Sequence, residues 1–169
     1  MKKLRLILTE ECHRECEGCC NKDWDLASLP RETDFAQYDM ILLTGGEPML
    51  DRDRTLSIIK RIHSQSPARL ILYTAKIDDA LAVIDVLHHL HGMTITLHAQ
   101  EDAVYFQQLV GTIEGFSPLE KRVRTKSLRL NIFKGVEVQW PTPSMWQVKR
   151  DCEWIKDCPL PEGEVLKRY

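Results

Sequence analysis

Short apolar runs along the chain alternate with longer stretches in which apolar residues recur every three or four positions. Five runs predict strands, at Leu4 to Thr9, Met40 to Leu43, Leu70 to Thr74, Met93 to His98 and Leu128 to Phe133. The helical spacing begins near Asp51, Asp78 and Glu101, and Asp51 and Asp78 can each cap the helix that follows. Strands that alternate with helices are parallel, so the pattern predicts an α/β fold with ligands at the carboxyl ends of the strands.

The C-terminal part of the chain departs from this pattern. Val136 to Trp140 predicts either a last strand or, with Lys134-Gly135, the second arm of a tight hairpin. Thr142-Pro143 predicts a helix start, and the apolar face of that helix would carry Met145, Val148, Cys152 and Ile155. We expect this helix to plug the open barrel, with a substrate-facing lid as the alternative.

Length and charge limit the number of domains and the classes of partner that the protein could have. The 169 residues predict one domain over 1–169, with a core at about 3–133 and a capping segment rich in tryptophan and proline at about 140–169. A net charge of -2 argues against a bulk nucleic-acid partner. The first apolar run is too short for a signal peptide or membrane span, so we expect a cytoplasmic protein with no membrane partner. In that compartment, clustered cysteines indicate metal ligands before disulfides.

Four of the six cysteines lie within nine residues after the first strand. Cys12, Cys16 and Cys19 follow a Cys-x3-Cys-x2-Cys spacing, whereas a zinc site needs four ligands, usually as two separated pairs. The trio therefore indicates a cluster with one open iron, although a zinc-bound interaction module stays an alternative. The side chain of Cys20 should diverge from that of Cys19, so we expect it not to bind the same cluster.

A second motif, Thr44-Gly45-Gly46-Glu47-Pro48, follows the second strand. Its glycines allow close approach of the backbone to a ligand, although such a sequence alone would also suit an ordinary turn. With the cysteine trio about 30 residues before it, the chain resembles the radical S-adenosylmethionine (SAM) superfamily. The resemblance covers Lys3 to about Phe133 and implies a reduced partial β/α barrel with parallel strands.

The resemblance also implies a chemistry. Cys12, Cys16 and Cys19 would hold a 4Fe-4S cluster, and the loop of Gly45, Gly46, Glu47 and Pro48 would hold the amino group of SAM. Reductive cleavage would give methionine and a 5′-deoxyadenosyl radical, which abstracts hydrogen from the substrate. A flavodoxin or ferredoxin would be the reductant. Thr74 ends the third strand as a weaker cofactor contact, and His98, on the polar face of the fourth strand, could face SAM or substrate.

Some positions depart from the family. Gly18 stands where an aromatic residue often contacts adenine, so adenine binding must come from elsewhere in this chain. Asn21 to Gln37 has no sustained apolar stripe, and the first helix should be short or missing. We expect Cys152 and Cys158 to be free, partly packed thiols, with an auxiliary cluster as the alternative.

The substrate class stays open at this point. The short chain and the Cys19-Cys20-Asn21 ending resemble glycyl-radical-enzyme activases, which act on a protein. The small size is similar to that of enzymes that modify nucleosides or other small molecules, such as deazaguanine synthases. From a different class, a non-enzymatic iron-sulfur electron carrier would need a fourth cluster ligand and no Gly45 to Pro48 loop.

Overall fold

A computed structural model of the chain describes residues 1–138 and 144–169. In the described residues, seven parallel strands form a sheet of order β6-β5-β4-β3-β2-β1-β7. The strands are β1 (Lys3–Thr9), β2 (Met40–Gly45), β3 (Arg69–Thr74), β4 (Gly92–Leu97), β5 (Ser127–Phe133), β6 (Trp146–Cys152) and β7 (Glu164–Arg168). The α-helices are α1 (Cys20–Asp23), α2 (Arg52–Gln65), α3 (Ala80–His88), α4 (Gln100–Glu114) and α5 (Ser117–Val123). Single 3-10 turns span Leu26–Ser28 and Pro48–Asp51.

The predicted α/β fold with parallel strands is confirmed, and all five predicted strands are present within two residues of their expected ends. The first helix is short, as expected, with four residues in α1. Curvature of the sheet into a reduced partial barrel stays a prediction. None of the helices in the described ranges is both long and apolar enough to cross a membrane.

The chain divides into two compact units, and each is described by itself. Unit 1 comprises 1–72 and 154–169, and unit 2 comprises 73–153. In unit 1, β1 pairs on one side with β2 and on the other with β7, and β2 pairs with the start of β3. Fully buried side chains on these strands and on α2 form its core: Leu4, Leu6, Ile41, Leu43, Ile59, Ile62, Leu70 and Leu72. Burial of both sheet faces explains the continuous apolar runs.

Strand β7 was not predicted, because Glu164–Arg168 offers only two apolar residues among three charged ones. Tertiary contacts hold it in the sheet. The guanidinium of Arg5 lies 2.8 Å from the carboxylate of Glu164, and both side chains are largely buried. On the other side, the amine of Lys167 donates to the carboxylate of Glu32 at 2.7 Å. This contact links β7 to the segment that contains Glu32 and follows the cysteine loop.

In unit 2, β4 pairs with β5 and β5 with β6. The prediction of a helix with Met145, Val148, Cys152 and Ile155 on one face is wrong, because Trp146–Cys152 forms β6. The backbone of this segment pairs with β5 from Leu128 opposite Trp146 onward, and the Trp146 ring packs edge-on against Phe106 at 4.9 Å between centroids. Helical spacing of a few apolar residues does not stabilise an isolated helix against such partners. Its predicted start, Thr142-Pro143, lies outside the described residues.

Two further local predictions need correction. Positions 136–138 of the proposed last strand belong to no strand, and Gln139 and Trp140 lie outside the described residues. Lys134-Gly135 does form a turn, with Gly135 at φ 86°, but the next strand runs parallel to β5 and therefore makes no hairpin. The cap of α3 is Asp79, which accepts from the backbone N–H of Ala82 at 3.0 Å, whereas Asp78 pairs with Lys76.

Candidate metal and cofactor site

The two motif loops of unit 1 are hydrogen-bonded to each other at the carboxyl ends of β1 and β2. The backbone N–H of Gly46 donates to the carbonyl of Thr9 at 2.7 Å, and that of Glu47 donates to the carbonyl of Glu11 at 2.7 Å. The Glu11 N–H in turn donates to the Thr9 hydroxyl at 3.1 Å. These three bonds place the start of the cysteine loop directly against the Gly45–Pro48 loop.

Both glycines are required by this contact. A Cβ on Gly46 would lie 2.0 Å from the carbonyl oxygen of Glu11, and one on Gly45 would lie 2.4 Å from that of Thr9. Gly45 also has φ +130°, a conformation that L side chains rarely adopt. Only two consecutive glycines let the backbones of the two loops approach this closely.

The Glu47 side chain is 2% exposed. One carboxylate oxygen accepts from the backbone N–H of Met49 at 3.0 Å and so caps the 3-10 turn that Pro48 begins. The Thr55 hydroxyl donates to the Pro48 carbonyl at 2.7 Å and ties the turn to α2. A cavity of about 170 Å³ adjoins this turn, and its lining includes Glu11, Glu47 and Arg54. The acidic side chain is therefore held in one orientation before any ligand binds.

The three predicted ligands are free thiols on one loop, with Cys12 exposed and Cys16 and Cys19 half-buried. Burial raises the pKa of the Cys16 thiol, and the neighbouring thiolates of Cys19 and Cys12 raise it further. Arg14 and Lys22 act in the opposite direction. The Cys16 thiol is thus close enough to Cys12 and to Cys19 for their charges to act on it. Three free thiols on one loop, with two of them acting on the third, are a donor set that suits an iron-sulfur cluster.

A site for a single metal ion requires ligands that are closer together than the ligands of an iron-sulfur cluster. Within residues 1–138 and 144–169, no three His, Cys, Asp or Glu side chains are placed to bind one metal ion. Around tetrahedral zinc, sulfur atoms about 2.3 Å from the metal lie about 4 Å apart. A cluster takes one thiolate on each of three irons, so it accepts ligands that are spaced more widely than around one ion.

Cys20 and Cys158 form a disulfide with their Cα atoms 5.3 Å apart, so the expectation that Cys158 is a free thiol is wrong. The pairing joins residues separated by 138 positions, a proximity that no local sequence pattern contains. Because its sulfur is bonded to Cys158, Cys20 is not available as a cluster thiolate in this structure. Cys152, in unit 2, is a free and buried thiol, as predicted.

The same C-terminal segment brings an aromatic ring to the cysteine loop. A Cβ on Gly18 would lie 2.4 Å from Cβ and 2.5 Å from Cγ of Trp154, so the indole packs on the Gly18 backbone. Sequence reasoning named Gly18 as the missing aromatic position but did not find Trp154. Two features of the sequence could have indicated this contact. One is the glycine itself, and the other is Cys158, which lies outside the trio and close to Trp154 in the chain.

Thr74 and His98 belong to unit 2 and stay predictions as cofactor contacts. The Thr74 hydroxyl accepts from the backbone N–H of Lys76 at 3.0 Å. The His98 ring packs against Phe133 with centroids 4.5 Å apart, and its backbone N–H donates to Asp102 at 2.8 Å. These contacts fix both residues at the carboxyl ends of β3 and β4.

Comparison with protein-family models, curated proteins and solved structures gives no match for this chain. The functional argument therefore rests on the two motifs and on the geometry that joins them.

Proposed function

We propose that this protein is a radical SAM enzyme. The observation that carries the proposal is the pair of backbone hydrogen bonds, Gly46 to Thr9 and Glu47 to Glu11, that joins the two motif loops. A ligand bound to a cluster on the cysteine loop could then be reached by groups of the Gly45–Pro48 loop. An electron carrier has no use for that second loop.

In this proposal, Cys12, Cys16 and Cys19 hold a 4Fe-4S cluster and leave one iron open for SAM. Such a cluster would supply the electron for the reductive cleavage of SAM, and the resulting 5′-deoxyadenosyl radical would take hydrogen from the substrate. The three cysteines fit because they are free thiols on one loop and because the charges of Cys12 and Cys19 act on the Cys16 thiol. A flavodoxin or ferredoxin is the proposed reductant, and the substrate is either a glycyl radical enzyme or a small molecule.

The chain's own groups orient the ligand. The buried carboxylate of Glu47 would accept a hydrogen bond from the SAM ammonium group, and the backbone at Gly45 and Gly46 allows close approach because no Cβ intervenes. The Met49 N–H and the Pro48 ring fix the carboxylate in advance, so little conformational entropy is lost on binding.

The test is anaerobic reconstitution followed by reduction with dithionite. Wild-type protein should slowly release 5′-deoxyadenosine even without its substrate, as detected by chromatography. Glu47→Ala should keep its iron but bind SAM about 1.5 to 3 kcal/mol more weakly, the usual contribution of a hydrogen bond to a charged group. At sub-saturating SAM it should release much less nucleoside.

Loss of a cap is a separate effect of Glu47→Ala, and Asp51→Ala controls for it. Asp51 caps α2 by accepting from the Arg54 N–H at 2.9 Å, as Glu47 caps the preceding turn. The control should lose similar stability, about 1 kcal/mol, and leave SAM affinity unchanged. Iron-replete wild type that neither changes its cluster spectrum on SAM addition nor makes 5′-deoxyadenosine would overturn the assignment and favour the electron carrier.

A further inference from the structure

A row of three residues crosses the sheet of unit 1 near the carboxyl ends of its strands. Ile7 of β1 pairs on one side with Thr44 of β2, the first residue of the second motif, and on the other side with Arg168 of β7. Residues paired across parallel strands project from the same face of the sheet. Because neighbouring strands lie about 4.8 Å apart, the backbone of Arg168 is about 10 Å from that of Thr44.

The neighbours of Arg168 in the chain show which face this is. The amine of Lys167 donates to the carboxylate of Glu32, and the hydroxyl of Tyr169 accepts from the guanidinium of Arg61, a residue of α2, at 3.1 Å. Successive residues of a strand project to opposite faces. Arg168 therefore projects away from α2, on the face that it shares with Thr44.

A second arginine starts on the same face. Arg31 forms an isolated parallel bridge with Arg168. In this bridge the Arg168 N–H donates to the carbonyl of Pro30 at 3.1 Å, and the Glu32 N–H donates to the carbonyl of Arg168 at 2.8 Å. Two cations directly opposite each other in a sheet are unfavourable, so the pair is stabilised by an anion that binds both.

The carboxylates nearest to this pair in the chain are bound to other cations. Glu164, the acidic residue of β7, lies 2.8 Å from the guanidinium of Arg5, and Glu32 accepts from Lys167. Within residues 1–138 and 144–169, neither arginine of the bridge has an ion pair. The Nε of Arg168 is buried and has no hydrogen-bond partner among these residues. A buried donor without a partner is unfavourable, and an acceptor from a ligand would satisfy it.

We propose that Arg168, together with Arg31, binds an oxyanion group of the substrate, either a carboxylate or a phosphate. The planar guanidinium matches both groups, and its buried Nε would gain the acceptor that it lacks. The inference rests on the proposed function, because that function brings the substrate to the cysteine loop, which begins two residues beyond Ile7. A donor without exposed surface is reached from within a pocket, which favours a small anionic molecule over a protein substrate.

The first test is anion binding by the full-length protein without a cluster. Inorganic phosphate and malonate are the probes, used at constant ionic strength so that general screening does not change. Each titration follows the Nε–H resonance of Arg168 in proton-nitrogen NMR spectra, which is assigned by its absence in Arg168→Gln. At least one probe should shift this resonance to saturation. Phosphate alone would indicate a phosphorylated substrate, and malonate alone a carboxylate.

Calorimetric titration of the variants measures the contribution of each arginine. Arg168→Gln should bind the effective probe at least about 10-fold more weakly, the factor expected for loss of a charge-assisted hydrogen bond. Arg168→Lys keeps the charge but not the planar fork, and its loss should be smaller. Arg31 is exposed, so Arg31→Gln should weaken binding only about 2- to 5-fold. Arg69→Gln, the matched control, removes the same charge from the exposed first residue of β3 and should bind as wild type does.

Stability separates a binding role from a structural one. Without added anion, Arg168→Gln should be at least as stable to urea as wild type, because it removes a buried unpaired donor and one of two facing cations. The effective probe should stabilise wild type and not the variant. A variant that is clearly less stable than wild type without anions would show a structural role and overturn the proposal.

The remaining outcomes separate this proposal from the proposed function. No saturable shift with either probe, or equal weakening in Arg69→Gln, would overturn the anion site and leave the enzyme assignment standing. In reconstituted protein, weaker SAM binding by Arg168→Gln, read from the electron paramagnetic resonance spectrum of the reduced cluster, would assign the guanidinium to the SAM carboxylate and overturn the substrate role. Wild type that binds the probe but makes no 5′-deoxyadenosine would overturn the radical chemistry and leave only the anion site.

Discussion

The Gly45–Pro48 loop and the cysteine loop of residues 10–19 lie side by side but are built in opposite ways. The first is almost closed to solvent, with Glu47, Pro48 and Met49 buried and capped by the backbone and by α2. The second is mostly exposed, contains no regular secondary structure and leads into a four-residue helix. The Gly45–Pro48 loop is therefore ordered by its own hydrogen bonds and by α2. The cysteine loop is held only at its ends and by the C-terminal segment.

This difference indicates that the two loops have different roles in binding. A preformed carboxylate can orient a ligand with little loss of entropy, while a loop of free thiols gains its order from what it binds. The variants below test this contrast, beginning with the one expected to change the protein most.

Removal of any thiol of the trio should abolish the cluster. Wild-type protein reconstituted without oxygen should hold about four iron and four sulfide per chain, and alanine at Cys12, Cys16 or Cys19 should leave little of either. Cys20→Ala is the matched control, because it removes an adjacent cysteine that is not free, and Cys152→Ala and Cys158→Ala should also keep their iron. Iron and sulfide analysis measures this, and loss of iron in Cys20→Ala would show that the ligand set is wrong.

Gly46→Ala should damage both loops at once. Its Cβ would lie 2.0 Å from the Glu11 carbonyl oxygen, and neither backbone can yield without breaking the bonds that join the loops. We expect a loss of about 4 kcal/mol or more in the free energy of unfolding, at the extreme of single substitutions.

Gly111→Ala is its control, since a Cβ there meets nothing within 4 Å and lies inside α4. It should stabilise the protein by about 0.5 to 1 kcal/mol. Urea denaturation of both variants measures the difference. A Gly46→Ala protein as stable as wild type would show that the two loops are not in this contact.

The disulfide should stabilise the oxidised protein. It closes a loop of 138 residues between Cys20 and Cys158, for which the chain-entropy account gives about 4 kcal/mol or more. Cys20→Ser, Cys158→Ser and the double variant should therefore lose similar stability, because each removes the same bond. With dithiothreitol present, wild type and the variants should converge. Six alkylatable thiols in air-oxidised, cluster-free protein would contradict the pairing.

Acid should loosen the segment behind the cysteine loop, where Glu32 accepts hydrogen bonds from Lys167 and Tyr38. Burial alone would raise the pKa of Glu32, but hydrogen bonds from Lys167, Tyr38 and the backbone N–H groups of Asp34 and Thr33 outweigh it and hold the pKa at about 2. Because this value lies below the ordinary 4.5, the stabilisation is fully present above that pH and is lost as the pH falls towards 2.

The expected loss is on the order of 2 to 3 kcal/mol. Hydrogen exchange should show faster exchange over 30–38 and β7 as the pH falls through this range. Glu32→Gln should be less stable at neutral pH and should show a weaker acid dependence than wild type. An unchanged pH profile in this variant would show that Glu32 is not the group that titrates.

Much of the molecule follows from local sequence. The five buried strands, the helix that Asp51 caps and the short first helix were predictable because period and capping depend on residues near one another in the chain. The position of both motifs at strand ends followed from the same alternation. The sequence by itself therefore determined the α/β fold and named the loops that carry the candidate chemistry.

Tertiary structure decided the parts that depend on distant partners. Trp146–Cys152 is a strand because β5 offers its edge, and Glu164–Arg168 is a strand because β1, Arg5 and Glu32 hold it. The bond between Cys20 and Cys158 and the contact between Gly18 and Trp154 likewise join residues more than a hundred positions apart. Local periodicity carries no information about such pairs, because their free energy is gained only after the intervening chain has folded and brought them together.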